Sequence, residues 1–311
     1  MALRQWMVTH EWMVKPMRQT EWIDRRGILV WIAEVFTSIG AGLYLVSLFY
    51  NNWWGMLVAW CIIMFLKIPL HLIYFGKPLR FWRTLIPITN AWKTSWFTRG
   101  INFNIYFGTF AFFQVVIGYF AIYMFPGTGW VAWDIALRVF GGFFAFLVGI
   151  YSGFIMSYCK SVPFWNTAML PLILLFAGIA DGFALMLAIG LADHTVNIAA
   201  IEFGSRIMLI VSIIFMAFFV WNATYVSNTA KYSATLLLKG NLAIPFWIGL
   251  VILGMVIPLI ISISSIYVGE VAVLLIIAIA FHTIGAVALK YVLLKGGVHN
   301  PILPATTSAY H

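Results

Sequence analysis

FWNTAMLPLILLFAGIADGFALMLAIG, residues 164–190, decides the fold: it is an apolar run with a single charge, Asp181. A helix needs about 20 such residues to cross roughly 30 Å of bilayer hydrocarbon, and this run exceeds that. Working outward, seven more segments qualify: 28–50, 53–75, 101–124, 131–157, 199–225, 243–267 and 270–292. Composition agrees. Of 311 residues, 63% are apolar and 9% charged, and the mean hydropathy is +0.99; a soluble domain carries about 25% charged residues. The expected fold is all-α and integral to the membrane. Eight transmembrane helices fill residues 28–292, between an N-terminal arm, 1–27, and a C-terminal tail, 293–311.

The lysines and arginines orient the bundle. Fifteen of the eighteen fall in the arm, in loops 76–100, 158–163 and 226–242, and at the C-terminal end, where Lys290 and Lys295 are counted. All of these lie on one side. Lys67, Arg138 and Arg206 lie inside spans, and the opposite loops carry none. The positive-inside rule then predicts a multi-pass protein of the cytoplasmic membrane with both termini in the cytoplasm. The net charge of +9 is thus explained by topology, and no basic stripe with stacking aromatics points to nucleic acid.

The arm, with Trp6, Trp12, Trp22 and Pro16, reads as an interfacial segment too interrupted for one long helix. The tail from Gly296 reads as irregular. Trp53, Trp54, Trp130, Trp133, Trp165 and Trp221 fall near span ends, where amphipathic rings anchor at the headgroups. Small residues in Ser38-Ile-Gly-Ala-Gly42 and at Gly141-Gly142 predict close helix approach. Cys61 and Cys159 are too few to hold an iron–sulfur cluster, which takes four thiolates.

Charges within hydrocarbon are costly, so they face the bundle interior and mark function. One group lies toward the terminal face. Glu34 is six residues into the first span, roughly 9 Å deep at about 1.5 Å per residue. Lys67 and His71 share a face of the second by their i,i+4 spacing, and Tyr151 lies at similar depth in the fourth. These four could line one pocket, or Glu34 and Lys67 could simply pair and tie two helices together. Toward the opposite face, Asp134 with Arg138 and Glu202 with Arg206 are i,i+4 pairs that read as intrahelical salt bridges. Asp181, near mid-membrane without a sequence-local partner, is the strongest single candidate for a proton relay. Together these five are proton-path candidates.

Only His71 and His282 lie within spans, at depths differing by roughly 10 Å, so a haem held between two helices is not expected. No phosphate-binding glycine loop, zinc-hydrolase helix motif or nucleophile elbow is present.

Three stretches carry a resemblance. Gly76-Lys-Pro-Leu-Arg-Phe-Trp-Arg83 followed by Thr94-Ser-Trp-Phe-Thr-Arg-Gly100, the first-span EVFTSIGAGLY of residues 34–44, and Tyr151-Ser-Gly-Phe-Ile-Met-Ser157 leading to Ser161-Val-Pro-Phe-Trp-Asn166 resemble the NrfD/polysulfide-reductase membrane-anchor family. The likeness covers most of residues 28–190. It implies eight helices in two four-helix bundles and a subunit that exchanges electrons and protons with quinone, menaquinone or ubiquinone, without haem. It implies a ferredoxin-like [4Fe–4S] partner and a catalytic, molybdopterin-containing partner acting on polysulfide, thiosulfate or tetrathionate. The quinone pocket would lie on the face meeting the iron–sulfur subunit. Tyr151 matches the family tyrosine at the quinone, and His71 and Glu34 are further candidates to bind the headgroup. Tyr151 or His71 would donate hydrogen bonds, Glu34 would relay protons, and Lys67 would stabilise negative charge on a reduced headgroup. Lys77, Arg80, Arg83 and Arg99 would dock the partner. Many family complexes hold their catalytic subunits outside the cytoplasmic membrane, whereas the charge rule puts this docking face inside. Two competing readings are an ion or solute transporter, which predicts helices broken at matching places in two halves, and an inert structural anchor.

Overall fold

The structure, a computed structural model, describes residues 13, 15–77, 80, 84 and 90–303. Among them, eight helices are long and apolar enough to span a membrane: α1 Ile28–Phe49, α2 Trp53–Tyr74, α3 Trp96–Met124, α4 Trp130–Ser157, α5 Met169–Ala192, α6 Ile198–Val226, α7 Pro245–Val268 and α8 Ala272–Lys295. The protein is therefore an all-α, multi-pass membrane protein. Several helices start where a side chain accepts from the first turn's free N–H groups. Asn52 caps α2 through the Gly55 amide at 2.7 Å, Ser95 caps α3 through Thr98, and Asn197 caps α6 through Ala200. The tight α1–α2 turn is closed by Asn51, whose φ of 52° is a conformation asparagine tolerates better than most residues.

Helices α1 and α5 form the centre. α1 packs on α2, α4, α5 and α8; α5 packs on α1, α4, α6 and α8. Their crossing depends on missing side chains. A Cβ added at Gly42 would stand 1.7 Å from the Gly178 carbonyl oxygen, and one at Gly182 would stand 2.2 Å from the Gly42 carbonyl carbon. Gly40 admits the Ile63 side chain of α2, and Gly141 admits Tyr44. The small-residue stretches predicted from sequence are thus where backbones meet. Large apolar side chains on the outer surface, among them Val139, Phe143, Ile214 and Ile260, are left for lipid to cover.

The described parts of the arm and the tail are tied to each other. Strand β1, Met17–Arg18, pairs antiparallel with β2, Val298–His299, and the Gln19 amide donates to the Gly297 carbonyl at 3.0 Å. Residues 17–18 and 298–299 therefore lie on one face, and the tail is not irregular at 298–299. Trp22 stacks on Trp165 with ring centroids 5.2 Å apart. A further helix, Asn228–Leu238, occupies the loop between α6 and α7.

Three expectations need correcting. Trp53 and Trp165 are not headgroup anchors: both are buried, and their indole N–H groups donate to the Val115 and Leu293 carbonyls. Trp54, Trp130, Trp133 and Trp221 do lie exposed. Helix α3 begins at Trp96, inside the stretch expected to be loop. Finally, α8 continues to Lys295, which puts Lys290 inside the bundle, buried, rather than among the surface charges.

Candidate functional site

Helix α2 changes pitch where it meets the site. Residues Ile62–Lys67 are π-helical and run into Pro69, which has no N–H for the carbonyl four residues back. The wider turn carries Lys67 inward, where it is buried and donates to the Asn104 side-chain oxygen at 2.6 Å. The Asn104 amide nitrogen is held in turn by the Gly100 carbonyl at 2.7 Å, which fixes its oxygen toward the ammonium. The Lys67 ammonium stands 5.2 Å from the centre of the Tyr151 ring, within cation–π range. That ring rests on Gly100, where a Cβ would come within 2.2 Å of it.

One turn along α2, His71 Nε2 lies 3.9 Å from a Glu34 carboxylate oxygen, and Ser152 lines the same cavity as both. Glu34, Lys67, His71 and Tyr151 are therefore brought together, as their depths suggested. The direct Glu34–Lys67 pair is not formed; Lys67 is taken by Asn104. Sequence reasoning missed Asn104 and Ser152, small polar residues that leave no mark on span hydropathy.

These groups wall two adjoining cavities. One, of about 300 Å³, is lined by Glu34, His71, Tyr151 and Ser152 with Trp22, Val30, Tyr74, Phe75, Phe97, Ile155, Met156 and Leu294. The other, of about 100 Å³, shares His71, Phe75, Phe97 and Tyr151 and adds Lys67, Asn104 and the aliphatic Ile68, Leu72, Ile101 and Ile105. An apolar slot with a few polar groups at one end suits a flat ring bearing hydrogen-bonding oxygens.

A second cluster lies one turn deeper along α1. Ser38, four residues after Glu34, donates to Asp181 Oδ2 at 2.6 Å and accepts from Lys290 Nζ at 2.7 Å. Lys290 is 3.7 Å from the same carboxylate, and His282 Nε2 is 3.0 Å from its other oxygen. Asp181 is thus not the isolated carboxylate expected; its partners come from residues distant in sequence. His282 Nδ1 lies 3.1 Å from the Gly254 carbonyl, so both ring nitrogens face protein acceptors.

Toward the opposite face, Asp134 and Arg138 do pair, at 2.7 Å. Arg138 also bonds the Asn51 side chain, and Gln114 links Asp134 to the Tyr44 hydroxyl. Glu202 and Arg206 do not form the expected intrahelical bridge. Glu202 accepts from Ser265 at 2.6 Å, and Arg206 donates to the Ser262 carbonyl, so both reach across to α7.

The basic loop is only partly described. Lys77 and Arg80 are exposed on the terminal face; Arg83 lies outside the described residues. Arg99 is not a free docking cation. Its guanidinium donates to the Trp92 and Lys93 carbonyls and lies over the Trp96 ring, fastening the loop to the start of α3.

A family profile described as polysulphide reductase, NrfD, matches residues 27–301. The protein is 29% identical over 125 residues to the C subunit of polysulfide reductase from Wolinella succinogenes and 32% identical over 124 residues to protein NrfD of Escherichia coli K12. Each alignment covers 38% of this sequence, which spans 39% of the length of either relative.

Proposed function

Taking as premise that the chain belongs to the polysulphide reductase NrfD family, we propose that it is the quinone-interacting membrane anchor of a multisubunit iron–sulfur oxidoreductase. The observation that carries this is the apolar double cavity whose polar end gathers Glu34, Lys67, His71 and Tyr151. Electrons would come from, or leave to, a ferredoxin-like [4Fe–4S] partner serving a catalytic subunit of the molybdopterin type, since Cys61 and Cys159 stand alone in different helices and loops. Lys77 and Arg80 offer the partner exposed basic groups on the terminal face. The one-sided lysines and arginines favour a cytoplasmic position for that face and both termini, in the cytoplasmic membrane.

A bound quinone supplies a carrier that takes up or releases two electrons with two protons. This chain's residues would hold its oxygens and manage the protons. The Tyr151 hydroxyl and the Lys67 ammonium are donors beside the apolar slot, and Asn104 fixes the ammonium. Phe75 and Phe97 line both cavities and would give a quinone ring apolar walls. His71 and Glu34 form a proton relay at the rim, for which 3.9 Å is one small rearrangement from a hydrogen bond. From Glu34 the polar line continues through Ser38 to Asp181, and farther on lie Glu202 and Arg206, which supports transmembrane proton movement coupled to quinone chemistry. Asp134 and Arg138 belong to a separate polar line through Gln114.

The test is made in the complex purified with its native partners. Tyr151→Phe and Glu34→Gln are expected to cut quinone-linked turnover at least tenfold, while the catalytic partner's reaction with a soluble dye is retained. Undiminished quinone-linked turnover in both variants would overturn the pocket assignment.

A further inference from the structure

We infer that the quinone enters from the bilayer between α2 and α3 and leaves its isoprenoid tail there. The window is sided by Ile68 and Leu72 on α2 and by Ile101 and Ile105 on α3. This rests on the quinone reading above and adds to it the route of entry and the residues that select a tailed substrate.

The window follows from the course of α2. In its first half α2 is tied to α3: the Trp60 indole donates to the Gly108 carbonyl at 2.9 Å. Met64 reaches the same glycine, where a Cβ would stand 2.7 Å from its Sδ. The Lys67–Asn104 bond, at 2.6 Å, is a third tie. There the π-helical turn gives way to Pro69, and Ile68–Tyr74 continues along α1 while drawing away from α3. No residue of that stretch is fully buried. The two helices meet again toward the terminal face, where the Phe75 and Phe97 rings stand edge to face with centroids 5.1 Å apart. At about 1.5 Å per residue, Lys67 and Phe75 are about 12 Å apart along α2. A polar bridge frames the opening at one end and an aromatic pair at the other.

Its walls decide what fills it. The smaller cavity is this window: its four sides are aliphatic, and Lys67, Asn104 and Tyr151 stand at its inner end. A branched hydrocarbon chain suits such sides, whereas a polar solute would lose its hydration there without replacement. Phe97 lines both cavities and is also exposed on the outer surface. One side chain therefore borders lipid, the tail's place and the ring's place. The larger cavity is backed by Val30 of α1 and by Ile155 and Met156 of α4, which leaves the α2–α3 side for entry. A gap left by loose packing alone gives no reason for a costly buried ammonium at its inner end.

The experiment uses the intact complex in lipid nanodiscs. It compares benzoquinones and naphthoquinones that carry a long isoprenoid tail with their tail-less counterparts. Ile101→Trp and Leu72→Trp each fill the window. Each is expected to lower the ratio of kcat/KM for tailed over tail-less quinone at least tenfold, through KM for the tailed one. Val139→Trp, which adds the same bulk on the exposed side of α4, is expected to keep the wild-type ratio. In the unaltered complex, a quinone with a diazirine on its tail near the ring is expected to label residues 68–72 or 101–105, read by peptide mass spectrometry. If neither window variant assembles, the labelling decides. Labelling confined to other helices, or a wild-type ratio in both window variants, overturns the portal and leaves the proposed function standing. Absence of quinone-linked electron transfer with every one of these quinones in the unaltered complex overturns the proposed function with it.

Discussion

Gly100 is the floor on which the Tyr151 ring lies: a Cβ at residue 100 would come within 2.2 Å of the ring's Cδ2. The glycine that closes the Ser95–Gly100 stretch is therefore required by a side chain fifty-one positions later. Gly100→Ala is expected to displace the buried ring and lower quinone-linked turnover at least tenfold. The overpacking costs about 1–3 kcal/mol of stability, read as an earlier thermal unfolding of the detergent-solubilised complex. Unchanged turnover and unfolding together would show that the ring has room to move.

Lys67 and Asn104 should behave as a unit. Asn104→Leu leaves a buried ammonium without its 2.6 Å acceptor, and an unsatisfied buried polar group costs about 1–3 kcal/mol, more when charged. Lys67→Met combined with Asn104→Leu removes both partners and is expected to unfold at a higher temperature than Asn104→Leu alone. Neither variant should retain quinone-linked turnover. Equal or lower stability of the double variant would mean that the pair does not act as one.

The same asymmetry applies deeper in the membrane. Asp181→Leu strands Lys290, and breaking one half of a buried pair costs about 3–5 kcal/mol. Adding Lys290→Met to it is expected to restore much of the lost protein in the membrane, measured by quantitative immunoblot. Recovery of the fold without recovery of proton movement would separate packing from function.

At the surface opposite the termini, Asp193 accepts from the hydroxyl and the amide of Thr195, and these bonds hold its carboxyl below the usual carboxylate range. A lowered folded-state value means the stabilisation is present above the ordinary aspartate value, about 3.9, and is lost as pH falls through the folded one. Thr195→Val is expected to shift that loss to higher pH. Hydrogen exchange of the α5–α6 turn as a function of pH measures it, and an unchanged profile would remove Thr195 as the cause.

The eight spans were legible because hydropathy over some twenty residues is a property of each segment by itself. The pocket was legible in part for a similar reason: rare charges at matching depth, Glu34 with Lys67 and His71, have few places to go. What stayed hidden depends on the neighbouring helix. Asp181 looked alone because Ser38, His282 and Lys290 come from α1 and α8. Lys290 looked like a surface charge because the last span ends later than its apolar run. Glu202 and Arg206 had the spacing of a bridge, yet the hydroxyl and carbonyl of α7 lie nearer. Asn104, Ser152 and Ser38 are small enough to pass as ordinary span residues.

The pairing of β1 with β2 has a consequence in time. Trp22 and Leu294 both wall the larger cavity, and the strands that fasten their two ends of the polypeptide join Met17–Arg18 to Val298–His299. Residues 298–299 leave the ribosome only after all eight helices have been made. The chamber therefore gains its roof only after the eighth helix has been made, and a ribosome that stalls before residue 298 would leave a bundle that is inserted but unsealed.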